Sequence, residues 1–107
     1  MSRLADVVDR LAAVIEQRRT ADPAGSWTAQ LIADPQLAAR KLAEEAVEAA
    51  LALAVGDSNA LTREAADLVY HLLAALAAGG VALDRVAEAL EQREGRSGVD
   101  EKQNRRT

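Results

Sequence analysis

The sequence predicts an all-α fold of four to five helices, and three observations carry that reading. Apolar residues recur at helical spacing through most of the chain, and no stretch alternates apolar and polar residues with the period of two that a strand needs. Gly, Pro, Asp and Ser gather at the few points where a helix has to start or stop.

The first helix is read from Leu4, Val7, Val8, Leu11, Val14 and Ile15, which share a face, with Asp6, Asp9, Arg10 and Glu16 between them; it runs from Arg3 to about Arg19. TADPAGS breaks it. The following SWTAQLIA is either a single helical turn capped by Ser26 or a loop folded over the core. Asp34-Pro35 opens the second helix, with Asp as N-cap and Pro at the first helical position, and the pattern continues to about Ala54. After Gly56, Asp57 or Ser58 caps the third helix, which stops at Gly79-Gly80. A fourth, Leu83 to Arg93, carries Leu83, Val86, Ala87 and Leu90 on one side. Beyond Gly95 the segment RSGVDEKQNRRT has no periodicity, so the chain divides into a helical domain over 1–94 and an expected mobile tail over 95–107.

The core available to these helices is thin. Alanine supplies 25 of the 107 residues, against 14 Leu, 9 Val, 2 Ile, one each of Met, Trp and Tyr, and no Phe. A small domain buries a modest fraction of its surface, so the expectation is that the chain completes its core against a second copy, as a homodimer with a shared bundle. A net charge of −4 argues against general binding to nucleic acid or to an anionic membrane. The absence of cysteine removes disulfides and thiolate metal sites. MSRLADVVDRL has neither a signal peptide's apolar run nor an anchor, and no segment approaches the roughly 18 apolar residues of a membrane span, so a soluble, cytoplasmic protein is expected.

Against this background the acids are conspicuous. Lys41, Glu44, Glu45 and Glu48 fall within an arc of roughly 100° on the second helix, and Glu64, Asp67 and His71 within about 60° on the third. A stripe of Leu61, Leu68, Leu72 and Leu76 runs beside the second set, which places those acids at the edge of a buried interface. Like charges one turn apart each cost a helix about 0.2–0.5 kcal/mol, and more where they share a partly desolvated site. Lys41 and Arg63 are too few to neutralise five carboxylates. A hard divalent cation, Mg²⁺ or Mn²⁺, does so with carboxylate and water ligands. The alternative is a solvated acidic face, the commonest fate of E-x-x-E spacings. A di-iron bundle expects Glu-x-x-His, and Leu68 stands three residues before His71, so that reading is weak.

KLAEEAVEAALA (41–52) and EAADLVYHLLAAL (64–76) resemble the EExxE and ExxD signature of the all-α, MazG-like nucleoside triphosphate pyrophosphohydrolases. RRTADPAGSWTAQLI, GVALDRVAEALEQR and the tail RSGVDEKQNR narrow the resemblance to the phosphoribosyl-ATP pyrophosphohydrolase family of histidine biosynthesis, over Leu4 to Arg105. Trp27 stands where that family more often has tyrosine. The resemblance implies a stand-alone, Mg²⁺-dependent hydrolase that converts 1-(5-phosphoribosyl)-ATP to 1-(5-phosphoribosyl)-AMP and pyrophosphate. It implies Glu45, Glu48, Glu64 and Asp67 as metal ligands, with Glu44 either a further ligand or the base that orients the attacking water.

Other polar residues carry two readings each. Lys41 either reaches a phosphate or pairs with Glu45. His71 either contacts substrate or supports the site from behind, or is simply hydrogen-bonded in place. Arg18 and Arg19 either reach substrate phosphates or favour the C-terminal dipole of the first helix. Trp27 either stacks on adenine or plugs the core beneath its loop. Lys102, Arg105 and Arg106 form a basic cluster whose natural partner is the substrate's phosphates. Two alternative functions remain at this stage: a housecleaning (d)NTP pyrophosphohydrolase with the same metal site, and a non-enzymatic helical dimerisation module.

Overall fold

Helix boundaries follow the supply of side-chain acceptors for free backbone N–H groups. Ser2 Oγ accepts from Ala5 N at 3.1 Å, Ser26 Oγ from Ala29 N at 3.1 Å, Asp34 Oδ1 from Leu37 N at 3.1 Å and Asp57 Oδ1 from Ala60 N at 3.0 Å. These caps open α1 (Arg3–Gln17), α2 (Trp27–Ala33), α3 (Pro35–Val55) and α4 (Ser58–Ala78); α5 (Leu83–Arg93) starts at Ala82 without a side-chain cap. The structure, a computed structural model, describes residues 2–94, and among these there is no strand.

The all-α expectation is met, with two adjustments. The first helix gives way after Gln17 to a tighter 3-10 turn over Arg18–Thr20 rather than running on to Arg19. SWTAQLIA is neither a single turn nor a loop: its seven residues from Trp27 form α2, because Ser26 caps its start and Asp34 ends it while capping α3.

α3 and α4, 21 residues each and so about 31 Å long, form a hairpin through the Gly56-Asp57 corner. Gly56 sits at φ 77°, ψ 22°, and Asp57 N donates to Ala52 O at 3.1 Å, closing the last turn of α3. The hairpin is the frame of the molecule, and α2 and α1 pack on α4. Leu31 of α2, Ala38 of α3 and Ala74 of α4 form the buried core, with Leu37, Tyr70, Ala75 and Ala78 against it. Alanines at this crossing let the two long helices approach closely. Thr28 Oγ1 and the Tyr70 hydroxyl, 2.6 Å apart, lock α2 onto α4.

The leucine stripe of the third helix is not its buried face. His71, Leu73 and Ala74 are buried, while Leu72 is 44% exposed. At 100° per residue the stripe's centre lies roughly 160° around the helix from Ala74. Leu73 is buried beside the small Ala74, whereas Leu61, Leu68 and Leu76 of the stripe are only half-buried and Leu72 looks outward from the single chain. Leu61 instead lines an apolar groove of about 510 Å³ between α1 and α4, with Leu4, Val7, Leu11, Ala65 and Val69. On α3, Val47, Leu51 and Val55 form a second exposed apolar stripe.

Candidate metal centre

Glu48 on α3 and Glu64 on α4 lie on either side of the hairpin, about two turns from its corner, and Glu45 sits one turn further along α3. This register brings one carboxylate oxygen from each of Glu45, Glu48 and Glu64 within 4.8 Å of one another. The cluster is graded in exposure: Glu45 is 9% exposed, Glu64 half-buried and Glu48 exposed. Oε2 of Glu45 and Oε2 of Glu64 are both buried without a hydrogen-bond partner. Buried polar atoms are normally paired, so two orphaned carboxylate oxygens in one cluster mark a place built for something else. Hydrogen bonding to Glu48 pushes the Glu64 carboxyl above the ordinary glutamate value, helped by burial and by the charges of Glu48, Glu45 and Asp67.

Three of the four ligands that the resemblance implies therefore meet. Asp67, one turn after Glu64 and exposed, stands outside the 4.8 Å cluster, yet near enough for its charge to act on Glu64. Glu44 also stands apart. Lys41 Nζ donates to Glu44 Oε2 at 2.8 Å, and that bond holds the Glu44 carboxyl below its usual range, helped by the charges of Lys41 and Arg40. Lys41 thus pairs with Glu44 and not with Glu45, although three- and four-residue spacings both align side chains on the helix surface. The same bond raises the lysine, with Glu45 and Glu48 adding to it.

His71 is 8% exposed. Its Nδ1 lies 2.8 Å from Asp67 O, its Nε2 is buried without a partner, and its ring meets that of Tyr70 edge-on at 4.9 Å and 84°. Trp27 is 43% exposed at the start of α2 in the single chain. Arg18 is exposed in the 3-10 turn. Arg19 donates to Glu16 through Nε at 2.8 Å and Nη2 at 3.1 Å, and to Ala77 O at 3.0 Å, so it fastens the end of α1 to α4. It lines a cavity of about 470 Å³ with Ile15, Leu73, Leu76 and Val81, to which none of the five acids contributes. Lys102, Arg105 and Arg106, with the tail over 95–107, lie outside the described residues.

Sequence reasoning missed the Thr28–Tyr70 contact. Its signal was present in the S-W-T and Y-H elements, two pieces of one family pattern that the fold joins through their hydroxyls.

The donor set consists only of hard carboxylate oxygens on two rigid helices, with no thiolate, which suits Mg²⁺ or Mn²⁺ and not a soft metal. The family model for phosphoribosyl-ATP pyrophosphohydrolase matches residues 8–94. A phosphoribosyl-ATP pyrophosphatase of Caulobacter vibrioides (strain NA1000 / CB15N) is 58% identical over 103 residues, covering 96% of both chains. Enzymes of the same name from Roseobacter denitrificans and Jannaschia sp. are 54% and 52% identical over 99 residues, covering 92% of this chain and 94% and 97% of theirs. With the acid signature, the hairpin that presents it and likeness along nearly the whole chain all in agreement, the chain belongs to the phosphoribosyl-ATP pyrophosphohydrolase family.

Proposed function

We propose that this chain hydrolyses 1-(5-phosphoribosyl)-ATP to 1-(5-phosphoribosyl)-AMP and pyrophosphate in histidine biosynthesis, with Mg²⁺ held by Glu45, Glu48, Glu64 and Asp67. The observation that carries this reading is the meeting of three carboxylates from facing helices, two of them with buried, unpartnered oxygens. Family membership and the activity for which the relatives are named point to the substrate. A bound Mg²⁺ supplies neutralising charge for the polyphosphate and lowers the pKa of water. The protein's part is positioning. Glu45 and Glu64 present their orphaned oxygens from fixed helical positions, and exposed Glu48 and Asp67 close the site from the solvent side. Glu44, outside the cluster and kept ionised by Lys41, suits an acceptor that orients the attacking water better than it suits a ligand. Lys41 reaches a phosphate by exchanging its Glu44 partner for it, and exposed Trp27 offers a face on which adenine can stack.

A homodimer is part of this reading. The α1–α4 groove and the Val47, Leu51 and Val55 stripe are apolar surfaces that a single chain leaves uncovered. No single helix among the described residues is long and apolar enough to cross a membrane, and we place the enzyme in the cytoplasm with its substrate. Release of pyrophosphate from phosphoribosyl-ATP, set beside a panel of dNTPs, tests the assignment. A preference for dNTPs would transfer it to the housecleaning class.

A further inference from the structure

We propose that His71 carries its imidazole hydrogen on Nδ1, so that in the neutral ring the buried Nε2 lone pair accepts a hydrogen bond from an O–H group, a water or a substrate hydroxyl, bound beside the acid cluster. Asp67 O is a carbonyl and can only accept, so the 2.8 Å contact requires the hydrogen to lie on Nδ1. In the neutral ring, Nε2 is then an acceptor. That atom is buried, on a side chain 8% exposed, and has no partner among the described residues. An acceptor in that position costs stability unless a donor reaches it.

The ring has little freedom to turn away. Asp67 O draws it back along α4 toward the acids, and Tyr70, itself tied to Thr28, meets it edge-on. Phosphate oxygens, which are acceptors, do not satisfy Nε2 of the neutral ring; a sugar hydroxyl or a water does. His71 is thereby separated from Lys41, whose cationic donor suits phosphate. The identity of the donor rests on the function proposed above, whereas the tautomer does not.

The chain contains one histidine, so ¹⁵N labelling of histidine gives a single ring to follow. In the ligand-free protein at mildly alkaline pH, Nδ1 should give a pyrrole-type signal and Nε2 a pyridine-type signal. The reverse pattern, or two pyrrole-type nitrogens, overturns the proposal whatever the substrate proves to be. A shift of the Nε2 signal on adding Mg²⁺ alone identifies the donor as water. A shift only when phosphoribosyl-AMP is added with Mg²⁺ identifies a hydroxyl of the phosphoribosyl nucleotide, and no shift in either case overturns the proposal. In kinetics on phosphoribosyl-ATP, His71→Leu should lower kcat/KM roughly tenfold, about one hydrogen bond's worth, while His71→Gln, which keeps an acceptor, recovers part of it. Equal loss in both variants, or none in either, also overturns it.

Discussion

Glu48 and Glu64 bring carboxylate oxygens within 4.8 Å of each other across the α3–α4 hairpin, and hydrogen bonding to Glu48 pushes the Glu64 carboxyl above its ordinary value. Two acids held this close on rigid helices, with the proton favoured on one of them, are placed to share a cation. The chemistry of the hairpin and its pH response follow from that relationship.

The first expected outcome concerns pH. A carboxyl whose folded-state pKa is raised binds its proton more tightly folded than unfolded, so metal-free protein gains stability as pH falls through the raised value and levels off below the ordinary one. Glu16 and Glu44, lowered by Arg19 and Lys41 respectively, act in the opposite sense and only at more acidic pH. Melting temperature measured without metal should therefore rise from neutral pH toward the carboxylate range, and this rise should be absent in Glu64→Gln. With saturating Mg²⁺ the trend reverses, because protons compete with the cation.

Ligand variants should separate activity from folding. Glu48→Gln and Asp67→Asn are expected to lower hydrolysis by at least about a hundredfold while leaving the helical circular dichroism intact, since each keeps its shape and removes a repelling charge. Metal-free Glu48→Gln should melt at or above the parent temperature. Unfolding of either variant, or full activity, would make these acids structural.

Arg19 is expected to behave as a fastener. Its donors are committed to Glu16 and to Ala77 O, so Arg19→Met should lower the melting temperature and leave KM for phosphoribosyl-ATP unchanged. An increase in KM at constant stability would return Arg19 to the substrate.

Gly56→Ala tests the corner that sets the register of the acids. A Cβ there meets no atom within 4 Å, so the cost is conformational: φ 77° strains an L-residue by roughly 1–2 kcal/mol. Urea denaturation should show a loss of that size, and a neutral result would mean that the corner relaxes freely.

The exposed apolar faces predict an obligate dimer. Leu51→Glu, on the α3 stripe, should yield monomer in sedimentation and a lower melting temperature, and dilution of the parent should lower its melting temperature. A folded parent monomer at micromolar concentration contradicts this.

Much of the fold was legible in local chemistry. Ser26, Asp34-Pro35, Asp57 and Gly79-Gly80 mark helix ends by capping or breaking, which depends on a few neighbouring residues. The acids were legible because their spacing is helical and the hairpin that joins them is short. Packing direction was not. Leucine is the stronger apolar signal, yet the core cluster where α2, α3 and α4 meet is built from Leu31, Ala38 and Ala74, while Leu72 stays exposed. Likewise, the spacing that suggested Glu45 as the partner of Lys41 serves Glu44 as well; both lie within reach along the helix, and the geometry selects Glu44. The Thr28–Tyr70 contact joins residues 42 positions apart, beyond any local pattern.

The measurement that bears most directly on the central claim is pyrophosphate release from phosphoribosyl-ATP as a function of Mg²⁺, with the parent protein beside Glu64→Gln. The account predicts release that saturates with Mg²⁺, vanishes with a chelator and is lost in the variant. Release that persists in the chelator, or a folded parent that releases nothing at saturating Mg²⁺, would contradict it.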